Sequence, residues 1–408
     1  MQNKLIEYAK VIVRVGVNLQ KGQTLVLSCP VECAEFGRMI AEEAYEAGAR
    51  EVVMRWNDDL LTRMKYLRAD DEVFDELADW LKTLYYEYAE KKAAIVHIAA
   101  SDPEYLKGVD PDRLRRSTVV MGRELKEYRD MQMRNEFPWC AVSVPIPVWA
   151  TKVFPGVSAD KAVEKLWDAI LATVRVSGDG KAVENWQEHV ATLNKRANIM
   201  NDHRFAKLVF KNSLGTDLTV ELHEKAKWVG VGEKAKTGIN FVANMPSEEI
   251  FTLPKKYGVN GVIYSSMPLV LDGTLVKDIC FTVKEGKIVE AAASEGLETL
   301  LKKLEVDEGA RYFGEIALVP FSSPISNMGI LFFNTLFDEN ASCHFAFGKA
   351  YPAFSDADDL TEDQLTARGM NDSFVHIDFM IGTPDLKITG ITTDGREIPV
   401  FVDGDFAF

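Results

Sequence analysis

The first 200 residues alternate short apolar strands with longer helix-periodic stretches, and this alternation stops near residue 204. A helix expected over about 2–15 leads to the strand TLVLSC (24–29). A second helix over 32–47, with Gly48 as its stop, leads to EVVMRW (51–56). AAIVHIAA (93–100) and WCAVSVPIP (139–147) are further apolar strands. Strands that alternate with helices pair in parallel and bury both faces under the helices, so this half predicts a doubly wound α/β sheet. No GxGxxG and no GxxxxGK[ST] stands at a strand-to-helix junction, which leaves a dinucleotide or P-loop reading without support.

Two amphipathic helices follow over about 158–176 and 180–200, and read as a connector. Beyond 204 the texture is β-rich, with a hairpin signal at Lys284-Glu285-Gly286-Lys287, one helix over about 292–304 and a closing hairpin in ITGITTDGREIPVFVDG. The expected organisation is an α/β doubly wound domain over 1–203, with the connector helices at 158–200, and an α+β catalytic domain over 204–408.

Composition narrows the function. The net charge of −15 leaves no basic surface for nucleic acid or anionic lipid. No run of 18 apolar residues is present, so no membrane span is expected. The N-terminus reads as an amphipathic helix (Leu5, Ile6, Ala9, Ile12, Val13) rather than a signal peptide. Five scattered cysteines, Cys29, Cys33, Cys140, Cys280 and Cys343, fit buried free thiols in a cytoplasmic protein. The Cys29–Cys33 pair has no second pair to complete a zinc ribbon and reads as structural.

The chemistry concentrates in the last 160 or so residues. Glu249 (NMPSEEIFTLP), Glu315 (GEIALVP), His344 (DENASCHFAFGKAY) and the pair His376 and Asp378 (FVHIDFMIG) stand in segments that read as buried. Burying an ionisable group is costly unless something pairs with it, and a divalent cation is the strongest such partner. Oxygen and nitrogen donors without thiolates suit zinc, cobalt, manganese or magnesium in hydrolysis. In a strand, His376 and Asp378 face the same side while Ile377 and Phe379 pack the other. The bland alternatives are a solvated Glu248-Glu249 pair, or acids in a first helical turn capped by Ser247. His97 reads as a core histidine and His189, His203 and His223 as packing or surface residues, none of the four with an acidic neighbour in a ligand-like arrangement.

NMPSEEIFTLP, GEIALVP, SSPISNMGILFFNTLFDENASCHFAFGKAY and NDSFVHIDFMIG, in this order, resemble the aminopeptidase T and aminopeptidase S family of bacterial two-metal aminopeptidases. NWQEHVATLNKRANIMN upstream is similar as well, so the resemblance runs over essentially the whole chain. It implies a co-catalytic pair of divalent ions held by Glu249, Glu315, His344, His376 and Asp378, with Glu339 of the DEN motif as a further ligand. It also implies that Tyr351 lies at the metal centre, that the enzyme is a homodimer, and that its substrates are peptides with a free N-terminus. Ser247 departs from the commoner threonine without touching a ligand.

The physical reading agrees. Two ions about 3.5–4 Å apart share a bridging water that attacks as hydroxide. One ion takes the substrate's α-amino group, the other polarises the carbonyl, and the Tyr351 phenol donates to the developing oxyanion. Glu248, beside a ligand, is a candidate general base, although neighbours in an extended segment face opposite ways. Two competing readings are a two-metal phosphoesterase, with Lys349 or Arg368 as the cation for the phosphate, and a metal-stabilised, non-enzymatic binding module.

Overall fold

Strands Glu51–Asn57, Thr24–Pro30, Ala94–Ile98 and Trp139–Val142 lie side by side in that order, all parallel. This comes from a computed structural model that describes all 408 residues. The first strand in sequence sits second in space and the chain builds outward on both sides of it, as a doubly wound sheet requires. The first strand is covered on both faces, with Leu25 and Leu27 buried on one and Val26 and Ser28 on the other, and Val96 and Ile98 continue the first of these faces on the neighbouring strand.

The remaining strands are antiparallel. One eight-stranded sheet runs Lys287–Ala292, Cys280–Lys284, Val259–Tyr264, Asp217–Glu221, Phe205–Lys211, Lys387–Thr392, Glu397–Val402, Asp405–Phe406. A four-stranded sheet runs His376–Met380, His344–Gly348, Phe313–Leu318, Ile250–Thr252. The second packs on the first through aromatic rings. Phe345 meets Phe210 and Phe313, and Phe379 meets Phe281. Phe345 follows His344 and Phe379 follows Asp378 along their strands, so burying one face of the small sheet aims the other at the site.

Several boundaries differ from the sequence expectation. The first helix is α-helical over Gln2–Val11 and continues as a π-turn over Ile12–Gly16. The connector helices are Ala159–Thr173 and Ala182–His203; the second ends at Arg204, whose backbone is left-handed (φ 49°). The helix expected over 292–304 begins only at Leu297, because the hairpin strand continues through Ala292. That hairpin turns on Glu285 and Gly286, both at positive φ, the pairing that a two-residue turn demands. All five cysteines are free, four of them buried. No helix is long and apolar enough to cross a membrane.

Candidate metal centre

Register brings the candidate residues together. Ala346 pairs with Glu315 on one side and Asp378 on the other; His344 pairs with Ala317 and Met380, and Gly348 with His376. Glu315, His344, His376 and Asp378 thus fall on one face of three adjacent strands, with small residues between them. Gly348 has φ 105°, and a Cβ there would stand 2.1 Å from the Val375 carbonyl, so only glycine lets the strands close beside His376. Glu249 enters from the far edge, one residue before strand Ile250–Thr252.

His344 Nε2 lies 3.0 Å from Glu249 Oε2, 3.7 Å from Glu315 Oε1 and 3.9 Å from Asp378 Oδ1. His376 Nε2 lies 3.7 Å from Glu315 Oε2 and 3.6 Å from Asp378 Oδ1. Glu315 therefore bridges the two imidazoles with its two oxygens. Both imidazoles are aimed by backbone carbonyls: His344 Nδ1 donates to Ser342 O (3.0 Å) and His376 Nδ1 to Lys349 O (2.7 Å), which leaves each Nε2 for the centre. Metal-binding histidines are typically oriented this way.

Glu339 comes from the turn Glu339–Ala341, which its neighbours hold in place. Buried Asp338 accepts from Phe332 N and Asn334 N (2.8 and 3.0 Å), folding the preceding loop back on itself. Asn340 accepts from Glu248 N (2.7 Å), tying this turn to the segment that carries Glu249. The spacing of Asp338, Glu339 and Asn340 is thus a loop anchor, a cavity acid and a bridge in succession.

The electrostatics are unbalanced. Four carboxyl groups (Glu249, Glu315, Glu339, Asp378) face two imidazoles, so with every carboxyl ionised the cluster would be net anionic even with both rings protonated, and protons are drawn in to offset this. Burial pushes Glu339 well above the carboxylate range, and the charges of Asp378 and Glu249 add to the shift. Burial also raises Glu315, against the opposing pull of His344. Burial works to lower His376, but Asp378 outweighs it and holds the ring up at about 10. His344 is likewise raised well above its ordinary value, because Glu249 and Glu315 overcome its burial. Glu249 Oε2 and Asp378 Oδ1 are buried acceptors with no hydrogen-bond donor. Orphaned anionic oxygens around a cluster that borrows protons are what a cation site presents without its cations, so this donor set fits divalent ions.

The cluster opens into a cavity of about 1140 Å³. Tyr351 lines it, edge-on to the His376 ring at 5.6 Å and tilted against Phe251 at 5.6 Å. Burial and then the charge of Glu315 keep its phenol protonated.

The residues at this centre are those the family motifs carry. A model of a family described as thermophilic metalloprotease (M29) matches residues 1–406. The chain belongs to that family. It is therefore a peptidase, a hydrolase of peptide bonds, and the phosphoesterase and non-enzymatic readings fall away. The chain is 41% identical over 408 residues to Aminopeptidase 2 of Geobacillus stearothermophilus, covering 100% of this chain and 98% of that protein. It is 41% identical over 407 residues to Aminopeptidase AmpS of Bacillus subtilis, covering 99% and 98%. The solved structure of wild-type AmpT from Thermus thermophilus superposes with a TM-score of 0.90 at 36% identity, covering 100% of both chains.

The structure also corrects the sequence reading. Glu248, the candidate general base, is paired: its Oε1 accepts from Arg175 Nη2 at 2.6 Å, and it does not line the cavity. His189, read from the sequence as a surface or helix-packing residue, lies 3.7 Å from Glu248 Oε2. It donates from Nε2 to Ser247 O (2.6 Å) and accepts at Nδ1 from Arg175 (2.9 Å), so it is neutral and part of the brace. Burial, followed by the Arg175 charge, lowers its pKa to about 4. His97, expected in the core, is exposed. Lys349 is taken up by Asp130 and Asp372 (both 2.7 Å), and Arg368 by Asp356. Neither is free to hold a phosphate. Sequence reasoning missed Glu233, a carboxylate in the cavity wall, since nothing in GVGEKAKTG marks it as inward-facing.

Proposed function

We propose that this peptidase is a metal-dependent aminopeptidase that releases N-terminal residues from peptides at a two-metal centre. Glu249, Glu315, Glu339, His344, His376 and Asp378 are its ligands, and the convergence of four carboxylates with two orphaned oxygens is the observation that carries this reading. The pair, when bound, would supply Lewis acidity for the scissile carbonyl and would activate water as the nucleophile. Zinc, cobalt, manganese and magnesium all suit the donors. Glu315, with one oxygen towards each imidazole, would help to hold both ions. Tyr351 holds its proton at the cavity wall, where its hydroxyl serves the oxyanion as a donor. Peptide substrates with a free N-terminus follow from the aminopeptidase names of the relatives. The test is a pair of substrates: leucine p-nitroanilide should be hydrolysed and its N-acetylated form left intact. Equal rates on both would overturn the exopeptidase reading.

The wider reading is a cytoplasmic homodimer of two-domain subunits divided at 203/204. Helix Asp59–Arg68 supports the dimer, because it buries none of its own residues and exposes Leu60, Leu61, Met64 and Leu67. An apolar helix face of this kind marks an interaction surface, and sedimentation equilibrium reads the result directly. The free cysteines support a reducing compartment.

A further inference from the structure

Glu233 stands in the wall of the same cavity, outside the cluster of candidate ligands. Its backbone belongs to a two-residue ladder, Glu233–Lys234 against Asn240–Phe241. The loop that delivers it is built rather than loose. Asn194 of the long connector helix donates from Nδ2 to both Val190 O (2.9 Å) and Val231 O (2.6 Å). Gly230 fits against the same asparagine so closely that a Cβ would stand 2.8 Å from its Oδ1. Gly232 turns the chain at φ 97°, and a Cβ there would stand 2.9 Å from Val190 Cγ1. The loop therefore seats tightly on the helix and presents the next side chain, Glu233, to the cavity.

One carboxylate oxygen of Glu233, Oε2, accepts from Ala243 N at 3.2 Å, which fixes the group in place. None of the protein's ion pairs involves Glu233; every other carboxylate lining the cavity either belongs to the ligand cluster or, like Asp358, sits exposed at its mouth. Glu233 and the centre feel each other's charge. The carboxyl is pushed up to about 7, first by burial and in part by Glu249, while Glu233 in turn helps to raise the Tyr351 phenol. A fixed carboxylate without a cation, beside the reacting centre of an aminopeptidase, lacks one thing: a cationic partner.

We propose that Glu233 receives the α-amino group of the substrate and is a specificity-determining residue for a free N-terminus. An α-ammonium or α-amine offers two or three N–H donors, and Glu233 accepts one of them. A blocked N-terminus offers neither the charge nor the donors, and leaves Glu233 desolvated and unpaired. Discrimination of this kind is steep, because it rests on a buried polar group losing its partner. The proposal rests on the aminopeptidase reading above and adds a protein contact to it.

The test compares two inhibitors on the metal-loaded protein by calorimetry: L-leucine hydroxamate and 4-methylpentanoyl hydroxamate, which differ only in the α-amino group. Glu233→Gln is the variant, since its amide oxygen still accepts from Ala243 N. The wild type should bind the amino-bearing inhibitor more tightly. In the variant that inhibitor should weaken by about 10–100-fold, the range for a hydrogen bond to a charged group. The des-amino inhibitor should change by less than about threefold, and metal content should match the wild type. Equal weakening of both inhibitors, no weakening of either, or loss of metal in the variant would each overturn the proposal. A wild type that prefers the amino-bearing inhibitor yet hydrolyses no unblocked anilide would sink the aminopeptidase reading while leaving the Glu233 contact standing.

Discussion

Replacing Glu248 with glutamine separates a brace from a base. The carboxylate and its partner Arg175 are both largely buried, at 6% and 17% side-chain exposure, with the guanidinium also stacked over Trp186 at 5.3 Å. Removing the negative charge leaves Arg175 inside the protein without a counter-ion. Breaking a buried pair from one side costs about 3–5 kcal/mol, and the glutamine amide recovers part of that by keeping a hydrogen bond. We expect a loss of about 2–3 kcal/mol in urea denaturation of the metal-loaded protein. kcat should stay within about tenfold of wild type, because a general base contributes about 10²–10⁴-fold and Glu248 would contribute none of it. Arg175→Met together with Glu248→Gln removes the stranded charge and should recover stability relative to the single variant. A kcat that falls by 10³ with unchanged stability would refute the assignment and restore Glu248 to the chemistry.

His376→Ala and Asp378→Ala should each lower activity by several orders of magnitude and reduce metal content in elemental analysis, whereas His97→Ala should change neither. Tyr351→Phe should lower kcat by about 10²–10³-fold with little change in KM and normal metal content; a normal kcat would remove the phenol from the mechanism. Metal binding should release protons. With His376 raised to about 10 in the metal-free protein, the ring is protonated at pH 7 and a cation must displace that proton. Apparent affinity should therefore climb by about tenfold per pH unit below pH 10 through the His376 proton alone, and an affinity flat between pH 6 and 8 would contradict this. In the metal-free protein the same shift contributes stability that is full below about pH 6.5 and lost as pH rises towards 10.

The parallel strands were legible because an element buried on both faces must be apolar throughout, and TLVLSC and AAIVHIAA say so directly. The shared face of His376 and Asp378 followed from strand periodicity alone. Convergence with Glu249 and Glu315 did not: it depends on the register of four antiparallel strands, which no local pattern encodes. Glu339 was legible only through the family motif, since its place in the cavity is set by the Asp338 and Asn340 anchors. The partnership of Glu248 with Arg175 links residues 73 positions apart, and it took the fold to turn a candidate base into a brace. His97 misled because its strand, although interior to the sheet, is covered unequally on its two faces: Val96 and Ile98 are buried on one, while Ile95 is half-buried and His97 exposed on the other.

On the two-metal reading these six side chains hold two divalent ions that the activity needs. Dialysis against a chelator, with elemental analysis to confirm metal-free protein, should abolish hydrolysis of leucine p-nitroanilide. Titrating zinc, cobalt or manganese back, counted by native mass spectrometry, should restore activity as two ions per subunit are taken up in the wild type and fewer in Asp378→Ala. Full activity in metal-free protein, or restoration complete at one ion per subunit, would contradict the account.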